Sequence, residues 1–109
     1  MNLTSFPFQT FEWAGVPRET RTGETGTAYW QVQMMNDTRV RLVEYSPGYK
    51  ADHWCSKGHV LFCMEGEMET ELADGRIVKM NAGMCYLVGD NNEPHRSSTT
   101  SGCKLFIVD

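Results

Sequence analysis

Residues 60–80 read VLFCMEGEMETELADGRIVKM, and this run decides the fold. Within it, Met68, Thr70 and Leu72 fall on one parity and Glu67, Glu69 and Glu71 on the other. Successive side chains of a strand point to opposite faces, so this alternation predicts a half-buried strand with a solvated glutamate row. Asp74-Gly75 is a hairpin signal leading into a second strand over Arg76 to Met80. Val60 to Glu65 reads as a further strand, set off by Gly66 alone. Upstream, Tyr29 to Met35 and Arg39 to Tyr45 flank the turn pair Asn36-Asp37 as a hairpin. Downstream, Asn81-Ala82-Gly83 turns into Cys85 to Val88, the polar loop Gly89 to Pro94 delivers His95, and Lys104 to Val108 alternates as a last strand. No stretch sustains helical periodicity. Some nine or ten short strands at near-regular spacing predict an antiparallel sandwich or barrel over residues 27–109. Residues 1–26 read as an N-terminal arm. Its Phe6, Phe8, Phe11 and Trp13 call for burial on the chain's own barrel or a partner's, and Arg18 to Gly26 is expected to be an exposed loop.

The three histidines of the 109-residue chain are His53, His59 and His95. Two of them share a tight cluster, His53-x-Cys55-x-x-x-His59, just after the chain break Ser46-Pro47-Gly48. Imidazole and thiolate are the side chains that hold transition metals. On a strand, His53 and Cys55 face one way, and His59 shares that face if the strand bends and continues. His95 arrives from a neighbouring strand. The four side chains are therefore the expected metal ligands. Cys63, Cys85 and Cys103 lie in apolar strand contexts and are expected to pack in the core.

A formal net charge of −4 argues against nucleic-acid binding. No apolar run approaches a membrane span, and MNLTSFPFQTF has neither the basic nor the apolar region of a secretory leader. The expected setting is the cytoplasm, with the four cysteines reduced; paired C-x-x-C spacing, the mark of a zinc ribbon, is lacking.

These residues resemble the motifs of the cupins. The first cupin motif, Gly-x5-His-x-His-x3,4-Glu-x6-Gly, is matched by Gly48, His53, Cys55, His59 and Gly66, with one residue fewer after the first glycine. The second, Gly-x5-Pro-x-Gly-x2-His-x3-Asn, is matched by Gly83 and by His95, which follows Pro94. Its proline and second glycine are missing around Gly89-Asp90-Asn91, one extra residue precedes the histidine, and Thr99 stands in place of the asparagine. Asp52-His53-Trp54-Cys55 is similar to the signature of a subgroup of small bacterial cupins known by a DHCW motif. The resemblance covers residues 40–109 and implies a mostly antiparallel jelly-roll barrel (the double-stranded β-helix) and a homodimer. Relative to the family's three histidines and glutamate, Cys55 replaces a histidine and His59 replaces the glutamate. Soft sulfur moves the expected metal toward Zn²⁺ or copper, with iron or nickel as alternatives. A thiol reaches less far than an imidazole, so a metal held by all four must sit near the Cys55 strand; otherwise Cys55 is a thiol beside a three-histidine site.

Three functions stay open at this level. One is a metal-dependent enzyme acting on a small molecule in the barrel, with Arg96 as a candidate to orient an anionic substrate. The second is a non-catalytic binding or sensing module with a closed His3Cys zinc site, which thiolate oxidation would disrupt. The third is a metal-free barrel that binds an apolar ligand. Fold does not choose among them.

Overall fold

The computed structural model describes Leu3 and residues 5–109. Among them are eight strands: β1 Arg18–Thr22, β2 Thr27–Met35, β3 Thr38–Tyr45, β4 His59–Leu72, β5 Ile77–Asn81, β6 Cys85–Val88, β7 His95–Ser98 and β8 Cys103–Val108, with one 3-10 turn at Trp13–Gly15. Every strand pairing is antiparallel. No helix among the described residues is long and apolar enough to cross a membrane.

The two runs on either side of Gly66 form one strand, which is why the strands number fewer than the sequence suggests. The N-terminal half of β4 lies between β8 and β6, and its C-terminal half lies between β5 and β7. A bulge between Cys63 and Glu65, followed by Gly66 at φ +78°, bends the strand from one layer into the other. Only glycine fits there, because a Cβ would run into the carbonyl of Gly102. The order β1-β2-β3-β8-β4 makes the larger layer.

The Asn36-Asp37 hairpin joins β2 and β3 with Met35 opposite Thr38, and Asn36 takes up the left-handed turn conformation. Arg18 to Gly26 departs from the loop expectation: Arg18 to Thr22 pairs with β2 as an edge strand. All five of its residues are exposed, so it has no alternating pattern to read. Met68 and Thr70 are buried on the predicted face of β4. Cys63 and Cys103 pack in the core as expected, whereas Cys85 is exposed because the outward parity of β6 carries it.

The interior is built in rows across β3, β8 and β4. Val43, Leu105 and Cys63 form one row, and Arg41, Ile107 and Leu61 form the next. Burying a side chain such as Leu61, which is 1% exposed, contributes about 1.5–3 kcal/mol. One further step along the same faces, the row becomes Arg39, Asp109 and His59, tied by Asp109 N donating to Arg39 O at 2.9 Å. The apolar core thus gives way to charged groups at one end of the barrel.

Candidate metal centre

Local backbone pairing assembles the site. Residues 49–55 run along the free edge of β7. Ala51 N donates to Ser97 O at 2.9 Å, and Cys55 and His95 exchange both backbone hydrogen bonds, at 2.7 and 3.0 Å. Cys55 is therefore directly opposite His95. His59 opens β4, at the parity of buried Leu61 and Cys63. The ligand atoms of Cys55, His59 and His95 all lie within 4.8 Å of one another, and both histidines are buried.

His53 is not in this group. Its side chain is 71% exposed, with Nδ1 2.7 Å from an Asp52 carboxylate oxygen. The backbone at 52–53 bends instead of continuing as a strand, so the even spacing from His53 to Cys55 does not bring His53 into the cluster. It lines the same cavity from the solvent side.

The hydrogen bonds around the cluster orient the donors. His95 Nδ1 lies 2.8 Å from Glu93 O; a carbonyl only accepts, so Nδ1 carries the proton and Nε2 turns inward. His59 Nδ1 lies 3.7 Å from Asp109 Oδ2, beyond hydrogen-bond reach, and has no hydrogen-bond partner among the described residues; the buried carboxylate attracts a proton on this nitrogen by charge alone, and Nε2 faces inward. The two Nε2 atoms stand 3.2 Å apart. Two imidazole nitrogens at tetrahedral angles on a metal, with bonds of about 2.0–2.1 Å, are about 3.3 Å apart. The donor set and its spacing therefore fit a transition metal. Contact with His95 pulls the Cys55 thiol below the ordinary thiol range, against the opposing effect of burial. Contact with Cys55 raises His95, again against burial. A metal held by Cys55 and His95 would displace a proton from that pair.

Two further residues shape the site, and the sequence reading did not single them out. The Tyr86 hydroxyl is 2.7 Å from His59 Nε2. Burial pushes its ionisation far above the usual phenol range, so it stays a neutral donor. Asp109 has a side chain with no exposure and accepts from Arg39 Nε and Nη2 at 2.9 Å each, and from Arg41 Nη2 at 3.0 Å. Burial works to raise its carboxyl, but His59 and the two guanidiniums outweigh this and hold it well below the usual carboxylate range. A signal for Asp109 was present in the sequence: Cys103, Leu105 and Ile107 set a buried parity that Asp109 continues. Arg96, the candidate for substrate binding, lines the cavity, but its Nε donates to Glu71 at 2.6 Å and its guanidinium lies 4.6 Å over the Trp54 ring. Two glutamates of the row expected to be solvated are thus engaged, Glu71 here and Glu67, which accepts from Ser101 Oγ at 2.9 Å.

No protein-family model matches the sequence, and no curated protein matches it at a significant level. Solved structures do match. A cupin-2 domain containing protein from Shewanella frigidimarina is 24% identical, with a TM-score of 0.60 over 73% of this chain and 78% of that one. A predicted oxalate decarboxylase from Thermotoga maritima superposes with a TM-score of 0.76 at 14% identity, over 92% of this chain and 96% of that one. Fe(II)-HppE, in complex with an alternative substrate, gives a TM-score of 0.78 at 13% identity; the match takes in 94% of this chain and 60% of that longer protein. These likenesses show a shared architecture. By its antiparallel barrel and its structural neighbours, the chain is a small protein with the cupin fold.

Proposed function

We propose that the chain is a metal-binding cupin that acts as a metal-dependent enzyme on a small molecule held in the barrel. The observation that carries this reading is the convergence of Cys55, His59 and His95, with their two Nε2 atoms 3.2 Å apart at the wall of a cavity. One thiolate and two imidazoles favour Zn²⁺, with copper, iron or nickel as alternatives. Bound there, such an ion would supply Lewis-acid polarisation of a substrate oxygen. The chain's own residues do the rest. His95 is fixed by Glu93 O, His59 is backed by Asp109, and Tyr86 offers a hydroxyl proton beside His59. With three inward donors and His53 turned outward, the set leaves room for a ligand, which favours an enzyme over a closed His3Cys module.

The cavity, about 230 Å³, is smaller than the roughly 300–1,000 Å³ of drug-sized sites, so the substrate is small. The Asp52-His53-Trp54-Cys55 run supports placement in the DHCW subgroup. A cytoplasmic homodimer belongs to the same reading, with outward-facing Phe62 and Met64 on β4 offering an apolar face to a second copy.

The test is elemental analysis of untagged protein purified without added metal, alongside Cys55→Ala, His95→Ala and His53→Ala. Near-stoichiometric metal in the parent and in His53→Ala, lost from the other two, is the expected result. Metal lost from His53→Ala as well would favour the closed four-ligand site. No metal in the parent after reconstitution would overturn the reading.

A further inference from the structure

The cavity that holds the Cys55–His59–His95 cluster is also lined by Arg39 and Arg41. Arg41 is the unusual one. Its side chain is 7% exposed, and its guanidinium lies 4.6 Å over the Trp30 ring. Nη2 is committed to Asp109, but the buried Nε has no hydrogen-bond partner among the described residues. A buried guanidinium N–H without an acceptor is costly, and such groups in native proteins call for an explanation. Charge points the same way. Arg39 and Arg41 both pair with the one side-chain carboxylate of Asp109 at the cavity wall. Arg96, by contrast, pairs with Glu71.

We propose that Arg41 is the anchor of an oxyanion-binding subsite, with Arg39 adding charge, so that the substrate class of this cavity is a small carboxylate or phosphate. For what the subsite serves, this rests on the metal-dependent reading above. Asp109 connects the two halves, since the oxygen that accepts from Arg41 Nη2 at 3.0 Å also lies 3.7 Å from His59 Nδ1. A planar guanidinium with a free Nε–H suits an oxyanion better than an ammonium would. An anion held there sits in the same cavity as the cluster, so one end of a small molecule is gripped while another oxygen faces the metal ligands.

The experiment uses ¹⁵N-labelled wild-type protein with metal removed, and follows the arginine Nε–H signals by NMR. Malonate, inorganic phosphate and the neutral isostere malonamide are titrated separately. The Arg41 Nε–H signal is expected to shift saturably with malonate or phosphate and to stay put with malonamide. The tighter of the two anions identifies the source as a carboxylate or a phosphate. Arg41→Lys keeps the charge but removes Nε, and is expected to weaken binding at least tenfold. Should that variant not fold, the wild-type signal decides alone. An Arg41 signal unmoved by both anions overturns the subsite, as does malonamide shifting it as strongly. Because the protein is metal-free, the two readings fail separately: anion binding without metal uptake sinks the metal centre, and metal uptake with a silent Arg41 sinks the subsite.

Discussion

Asp109→Asn removes one negative charge and leaves the shape of the side chain nearly unchanged. In the native protein this carboxylate, wholly buried, takes two bonds from Arg39 and one from Arg41 and backs His59. Breaking a buried ion pair by removing one partner costs about 3–5 kcal/mol, because the other charge stays buried. Arg39 is 29% exposed and keeps some hydration, and the asparagine oxygen still accepts one bond, so the lower end applies: about 3 kcal/mol. That is a large share of the roughly 5–15 kcal/mol that holds a domain together. Urea unfolding at pH 7 measures it, provided the slope of free energy against urea is the same for both proteins. Acidity supplies a second, sharper reading. The folded carboxyl titrates well below the usual range, so its stabilisation is complete above the unfolded value of about 3.9 and drains away as pH falls below it toward the folded value. At pH 3 the wild type should have lost about 1 kcal/mol of its advantage over Asp109→Asn, since all other carboxylates titrate in both. A difference under about 1 kcal/mol at pH 7, or a gap that does not change between pH 7 and pH 3, would refute the assigned role of this carboxylate.

Asp109→Asn should also weaken metal binding about 10–100-fold, because it removes the negative charge behind His59; competition against a chromogenic chelator measures this. Alkylation of metal-free protein by iodoacetamide, mapped by mass spectrometry, should modify Cys55 at a pH below the ordinary thiol range of about 8.5, and His95→Ala should move that dependence back up. Cys103, buried and with its thiol pushed up to about 12, should resist in both proteins. Gly66→Ala should cost about 2 kcal/mol or more in urea unfolding, since it combines a positive φ with a clash against Gly102. Leu61→Ala should cost about 2–5 kcal/mol as a core truncation, with metal stoichiometry retained.

What the sequence could reveal depended on period. Residues that alternate on a half-buried strand announce themselves, so β4 and the β2–β3 hairpin were legible to within a residue or two. β1 was not, because an edge strand exposed on both faces has nothing to alternate. The fusion across Gly66 was hidden for a related reason: a bulge shifts the parity, so one bent strand reads as two. For the cluster, parity succeeded at His59 and failed at His53. It presumes continuous strand geometry, and residues 51–58 contain only bends and one isolated bridge. Cys55 reaches the cluster through its backbone pairing with His95, a relation between residues forty apart that no local pattern encodes.

The same parity explains why the charged end of the barrel and the metal ligands belong together. The inward faces of β3, β8 and β4 read Val43-Arg41-Arg39, Leu105-Ile107-Asp109 and Cys63-Leu61-His59. Each face is apolar where the rows lie deep in the barrel and polar where they open onto the cavity. A polar group in a core position costs free energy unless it is paired, and three neighbouring strands make the change at nearly the same level. Asp109 pairs two guanidiniums and leaves the two inward Nε2 atoms without a carboxylate of their own. If these groups served stability alone, replacing Arg39, Asp109 and His59 together with Arg41, which also pairs with Asp109, by apolar residues of similar volume should be neutral or stabilising, as it often is for buried ion networks. The quadruple variant Arg39→Met, Arg41→Met, Asp109→Leu, His59→Leu, which leaves no buried guanidinium unpaired, is therefore expected to unfold no more easily than wild type in urea, yet to take up no metal. Unfolding more than about 2 kcal/mol easier would show that the row is needed to build the barrel, and would remove the argument that it is kept for the site.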